Sequence, residues 1–140
     1  LRVDGENFAA GPIERILTRH PDVALAAVYA VPNADVGDDC MAALILRPDA
    51  RFEPAGFAKF LADQRDLGTK MAPRYVRIAT SLPSTETNKI LKRVLRDERW
   101  DCADPVWLRD GATYRRLEDG DRKAIVAAFE ARGRRQVLDR

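Results

Sequence analysis

The sequence predicts an α+β domain: a small central β-sheet of about three strands packed by helices, with a C-terminal hairpin and helix as an appendage. Three observations carry this. Residues 23–31 and 40–46 are near-continuous apolar runs, the pattern of strands covered on both faces. Apolar residues recur at helical spacing in the segments around them. Near the C-terminal end, Asp110-Gly111 separates two short segments, the strongest short-range hairpin signal.

Pro12 suits the first turn of a helix in which Ile13, Ile16 and Leu17 share a face, and Pro21 closes that helix. His20 is a helix-exit residue, because the position before a proline is steered away from helical backbone. Residues 23–31 form the first strand, residues 32–39 a loop, and residues 40–46 a second strand antiparallel to the first. A second helix covers about residues 54–64, with Phe57, Phe60 and Leu61 on one side. Residues 75–79 alternate as a short third strand. Ile90, Leu91, Val94 and Leu95 give a third helix its apolar stripe, and Lys92, Arg93 and Arg96 occupy its other faces. Segments 106–109 and 112–115 flank the Asp110-Gly111 turn. Asp119 or Asp121 caps a last helix that buries Ile125, Val126 and Phe129. Arg132-Gly133-Arg134-Arg135 reads as a frayed, solvated end.

The 140 residues make one domain's worth of chain. The 24 Lys and Arg nearly balance the 22 Asp and Glu, which describes a soluble surface rather than a nucleic-acid arm. Cys40 and Cys102 stand in no metal or redox spacing and are read as reduced thiols of a cytosolic protein. His20 is the only histidine, so a multi-histidine metal site is excluded. No apolar run is long enough to span a bilayer, and no Walker-type loop, carboxylate cluster or nucleophile triad is present.

The most informative stretch is Leu82-Pro83-Ser84-Thr85-Glu86-Thr87-Asn88-Lys89-Ile90. Ser, Thr and Asn bond their own backbone and favour turns, so an exposed, mobile loop delivers Lys89 to the start of a basic amphipathic helix. A lysine there is a compact cation on a four-carbon stem, suited to a phosphate docking from another body. Gly5-Glu6-Asn7, before the first helix, is the second candidate: Gly5 lacks a Cβ and permits close approach of a ligand. Glu6 and Asn7 orient that loop or bond the ligand, and Arg2 is a weaker phosphate contact. Glu14 is read as serving the first helix, where a carboxylate favours the positive N-terminus.

Gly5-Glu6-Asn7, His20-Pro21-Asp22-Val23, Ala72-Pro73-Arg74-Tyr75-Val76 and the Lys89 loop together resemble the C-terminal domain of the adenylate-forming superfamily, which contains acyl-CoA synthetases, luciferases and the adenylation domains of peptide synthetases. The order and spacing fit from residue 1 to about residue 96. Asp104-Pro105-Val106-Trp107 and Tyr114 look like the fatty-acid-transport or very-long-chain branch of acyl-CoA synthetases. Asn88 stands where many relatives have Gly, and Asn tolerates the left-handed conformation better than most residues.

The resemblance implies a mobile lid at residues 1–100 and an extension at residues 101–140 packed on the same domain. It implies ATP, Mg2+ and coenzyme A as the enzyme's cofactors and substrates, together with a fatty acid. The nucleotide, metal and acyl pocket then lie largely in an amino-terminal domain, the lid's own partner. Lys89 becomes the catalytic group of adenylate formation, and Gly5, Glu6, Asn7 and Arg2 become ligand-facing residues, with Gly5 against the pantetheine tunnel after domain rotation. The chain begins with Leu rather than Met, and the resemblance favours a fragment that is inactive alone. A cytoplasmic location, with peripheral membrane contact and no nucleic-acid partner, is expected. Two alternatives stand beside this: a small basic module using Lys89, Lys92, Arg93 and Arg96 on nucleic acid or lipid, and the lid of an acyl-AMP ligase that loads a carrier protein.

Overall fold

A computed structural model describes the backbone of residues 2–3, 6–7, 9–35, 37–68 and 71–139, with side chains from residue 9 onward. Two short strands, β1 (Arg2–Val3) and β2 (Glu6–Asn7), pair antiparallel ahead of α1 (Ala10–Leu17). The main sheet follows: β3 (Val23–Pro32), β4 (Asp38–Leu46), β5 (Tyr75–Ile78), β6 (Val106–Asp110) and β7 (Thr113–Arg116), ordered β3-β4-β5-β6-β7. β3 and β4 are antiparallel, as the two long apolar runs predict. α2 (Pro54–Ala62) lies on the crossover to β5, which runs parallel to β4. Helices α3 (Lys92–Glu98) and α4 (Asp119–Ala131) and a 3-10 turn (Arg135–Asp139) complete the fold.

The α+β expectation holds, but the sheet has five strands where the sequence suggested about three. The C-terminal hairpin is no appendage: β6 pairs antiparallel with β5, Tyr75 opposite Leu108 and Arg77 opposite Val106. A three-stranded sheet would have left the edge of β5 with unpaired backbone groups, and the hairpin supplies their partners. Its turn runs through Gly111 and Ala112, with Asp110 still paired to Thr113. Gly111 has φ of 62°, the left-handed geometry that a two-residue hairpin turn requires.

Strand alternation sorts the core into two layers. Val28, Ala42, Leu44 and Val76 face Ile13 and Leu17 of α1 and Phe57 and Leu61 of α2. Ala27, Tyr29, Met41 and Tyr75 face the other way, onto Leu95 of α3, Trp100 and Phe129 of α4. Both faces of β3 and β4 are thus covered, which is why their sequences read as runs rather than alternations. The Cys40 thiol is buried in the first layer, and desolvation pushes its pKa up to about 12, so it is an inert thiol. Burial likewise raises the Tyr29 phenol, whose hydroxyl is buried without a hydrogen-bond partner among the described residues.

The tail is more ordered than its arginine-rich sequence suggests. Gly133 adopts φ of 67° just past α4, a left-handed helix stop. The chain then folds back, placing Val137 and Leu138 against the second core layer. Arg132 pairs with Asp35, and Arg135 with Glu130 at 2.6 Å, so these cations are engaged rather than frayed.

Helix α4 is capped by Glu118, not by Asp119 or Asp121. Asp121 instead completes a capping box, its carboxylate accepting the Glu118 N–H at 2.9 Å. Two hydrogen bonds from Arg115, both 2.8 Å, together with that backbone bond, hold the Asp121 carboxyl down at about 2. A lowered folded-state pKa gives a contribution that is complete above the ordinary value of 3.8 and is lost as pH falls through about 2. Asp121→Ala is therefore expected to cost about 1 kcal/mol near neutral pH. The urea midpoints of variant and parent should converge as the acid limb is approached.

Candidate functional site

The Lys89 loop is a closed hairpin, not a free coil. Ser84 and Ile90 form an antiparallel bridge, and the Leu91 N–H donates to the Pro83 carbonyl at 2.8 Å. Thr85 is its hub. The Thr85 N–H donates to the Lys89 carbonyl at 2.8 Å, and the Thr85 carbonyl accepts the Asn88 N–H at 2.9 Å. Its Oγ1 accepts the Lys89 N–H at 3.1 Å and lies 3.0 Å from the Thr87 hydroxyl. A turn through Glu86 and Thr87 followed by a left-handed residue is the standard three-residue hairpin, and Asn88 is that residue, with φ of 63°.

The backbone therefore explains the residue before the lysine. Position 88 needs the left-handed region, which Gly enters freely and Asn tolerates. Asn88→Gly is expected to leave the loop closed. Asn88→Val should strain it by roughly 1–2 kcal/mol. Hydrogen exchange at the Thr85 and Asn88 amides reads the difference directly: faster exchange in the Val variant, parent-like protection in the Gly variant.

Lys89 itself is exposed, and no carboxylate among the described residues pairs with it. Ile90 belongs to the loop closure rather than to a helical stripe, since α3 starts at Lys92 and buries only Leu95. The helix yields early because the Ser84–Ile90 bridge and the Leu91–Pro83 bond commit those backbone groups to the hairpin.

Gly5 lies outside the described residues. Arg2, Glu6 and Asn7 fall in the antiparallel β1–β2 strand pair, with Arg2 opposite Asn7 and the first strand running close to β4. The described residues of the two candidate sites thus sit on separate elements, the β1–β2 strand pair before α1 and the Lys89 hairpin before α3.

The sequence reading missed a link between those helices. Glu14 of α1 does not serve its own helix terminus: its Oε2 accepts the Val28 N–H at 2.7 Å and meets the Lys92 Nζ at 2.9 Å. α1 packs on one face of the sheet and α3 on the other, so this carboxylate sits at the outer edge of β3 and joins the layers. Glu14 and Lys92 stand 78 positions apart, and nothing local in the sequence marks them as partners. Arg77 left a signal: a cation inside an apolar strand, on the same face as Tyr75. It donates to Glu98 at 3.0 Å and to Asp104 at 2.8 Å.

A cleft of about 660 Å³ opens between α2 and the β6–β7 hairpin, with Leu61, Arg74, Arg109 and Tyr114 among its walls. Tyr114 fixes one wall, its buried hydroxyl donating to the Pro73 carbonyl. Among the described residues, no three His, Cys, Asp or Glu side chains converge as a metal site.

Residues 12–89 match the family model described as the AMP-binding enzyme C-terminal domain. The chain belongs to that family. Its match ends on Lys89, so the closed loop forms the last part of the shared segment. A steroid-22-oyl-CoA synthetase of Rhodococcus jostii is 46% identical over 99% of this chain, and the match covers 25% of that protein. A medium/long-chain-fatty-acid–CoA ligase of Mycobacterium marinum is 55% identical over 79% of this chain and 22% of its own length. The chain thus spans about a quarter of the curated relatives it matches. Among solved structures, ATP-bound MatB from Rhodopseudomonas palustris aligns with 72% of this chain and 20% of its own at a TM-score of 0.65 and 27% identity. A Mycobacterium tuberculosis fatty acyl CoA synthetase aligns with 71% of this chain and 19% of its own at 0.62 and 26%.

Proposed function

We propose that this chain is the carboxy-terminal lid of an ATP-dependent, AMP-forming fatty acyl-CoA synthetase. The observation that carries the reading is Lys89: an exposed cation without a carboxylate partner among the described residues, held at the end of a hydrogen-bonded hairpin, in a family domain that spans a quarter of its relatives. Such a group is built to meet an anion brought by another body.

The reaction has two halves. A fatty-acid carboxylate attacks the α-phosphate of ATP, forming the acyl-adenylate and releasing pyrophosphate. The thiol of coenzyme A then attacks the acyl carbon, AMP departs, and the thioester remains. In-line displacement at phosphorus is accelerated chiefly by positioning and charge stabilisation. Lys89 supplies that charge, its ammonium meeting the α-phosphate oxygens and the acyl carboxylate as the lid closes. Gly5 gives the pantetheine arm room in the second half, and Glu6, Asn7 and Arg2 orient that approach. Mg2+ is assigned to the amino-terminal partner, together with the nucleotide whose phosphate charge it would neutralise.

The basic-module alternative loses ground on α3, where Lys92 is committed to Glu14. A cytoplasmic setting with peripheral membrane contact belongs to the same proposal. Among the described residues, no helix is long and apolar enough to cross a membrane.

The test places this chain in the matching segment of the Mycobacterium marinum ligase and follows thioester formation from ATP, fatty acid and coenzyme A. Restored turnover in the chimera, with none from the 140-residue chain alone, is the expected result. Thioester made by the chain alone, or a folded chimera that performs neither half-reaction, overturns the lid reading.

A further inference from the structure

We propose that α3 is a positioning lever for Lys89, held at its two ends by the Lys92–Glu14 and Glu98–Arg77 ion pairs. Lys92 and Glu98 are then positioning residues for adenylate formation. The proposal rests on the reading of Lys89 given above.

The helix cannot hold itself. It has seven residues, no side-chain cap at its N-terminal end, and one buried side chain, Leu95. Isolated helices of this length are unstable in water, so its direction is set by what grips it. Lys89 lies three positions before its first residue, and the Leu91–Pro83 hydrogen bond fastens the intervening chain to the base of the loop. A tilt of α3 is therefore passed to the Lys89 hairpin through two residues.

The grips lie at opposite ends. At the first, Lys92 reaches Glu14, whose same carboxylate oxygen is fixed to the Val28 amide in the sheet. At the last, Glu98 receives the Arg77 guanidinium, which is 8% exposed and also held by Asp104. Each anchor on the sheet side is thus itself immobilised by a second bond. The Lys92–Glu14 pair is partly exposed and contributes little to global stability, and at the other grip the stabilising weight lies in buried Arg77 rather than in the half-exposed Glu98. Their placement at both ends of an under-packed helix serves orientation instead, and small misplacements of a charge donor are expensive in rate.

Two measurements test the lever. In the 140-residue chain, Lys92→Met should speed hydrogen exchange at the Thr85, Asn88 and Leu91 amides several-fold. Val28, still bonded to Glu14, should keep its protection, and Lys92→Arg should restore the loop. In the parent enzyme, Lys92→Met and Glu98→Gln should slow ATP–pyrophosphate exchange on the order of 10- to 100-fold through kcat, with KM for ATP little changed. Transfer from supplied acyl-adenylate to coenzyme A should stay near the parent rate. Lys89→Ala runs alongside as the reference. If it leaves exchange intact, the reading of Lys89 falls and the lever falls with it. If it cripples exchange while Lys92→Met and Glu98→Gln do not, or if those two slow both half-reactions equally, the lever is overturned and Lys89 stands.

Discussion

Lys89→Ala in the parent enzyme is expected to reduce pyrophosphate exchange by on the order of 10²–10³-fold, the loss seen when one transition-state charge donor is removed. Transfer from a supplied acyl-adenylate to coenzyme A should be much less affected. The asymmetry follows from geometry. Lys89 sits on the hairpin before α3, and Glu6 and Asn7 lie in the β1–β2 strand pair before α1. On the proposed function, a lid that presents one of these segments to a pocket withdraws the other, and the domain is expected to exchange faces by rotation between half-reactions. Gly5→Leu is the complementary arm: a branched side chain in the pantetheine path should slow thioester formation and spare pyrophosphate exchange. If both substitutions slow both assays equally, the two-face mechanism fails for this protein.

What was legible in the sequence was whatever depends on neighbours along the chain. The apolar runs of β3 and β4, Pro12 in the first turn of α1 and Pro54 opening α2 all act within a few residues, and the structure places those elements accordingly. Thr85 and Asn88 belong to the same class, since a turn formed from residues 85–88 is a local event. The misses are contacts between distant segments. The pairing of β6 with β5 needs Val106 to find Arg77, and the edge of β5 is not visible as an edge until the sheet exists. The sequence points Glu14 to its own helix because the macrodipole is a local effect. The exposed edge of β3, which captures it, is a product of the fold. The tail misled for a related reason: its arginines look solvated until Asp35 and Glu130 arrive beside them.

Arg77→Ala is expected to be the most destabilising single substitution among the charged residues, at about 3 kcal/mol. The side chain comes from the central strand, on the face covered by α3 and Trp100, in a layer otherwise made of apolar groups. Burial by itself would lower the guanidinium pKa. Hydrogen bonds to Glu98 and Asp104 outweigh that effect, so the net direction is upward and the group stays charged. Truncation leaves a cavity beside Tyr75 and strands two carboxylates that lost their shared cation. The cost stays at the low end for a broken buried pair because Glu98 and Asp104 are partly exposed and regain water. Arg77→Met separates the two contributions: it refills much of the space but returns no charge. A urea midpoint for Arg77→Met lying well above that of Arg77→Ala assigns the loss to packing. Equal midpoints assign it to the uncompensated carboxylates, and adding Glu98→Gln to Arg77→Met should then recover part of the stability, since the helix end would no longer carry an unpaired charge.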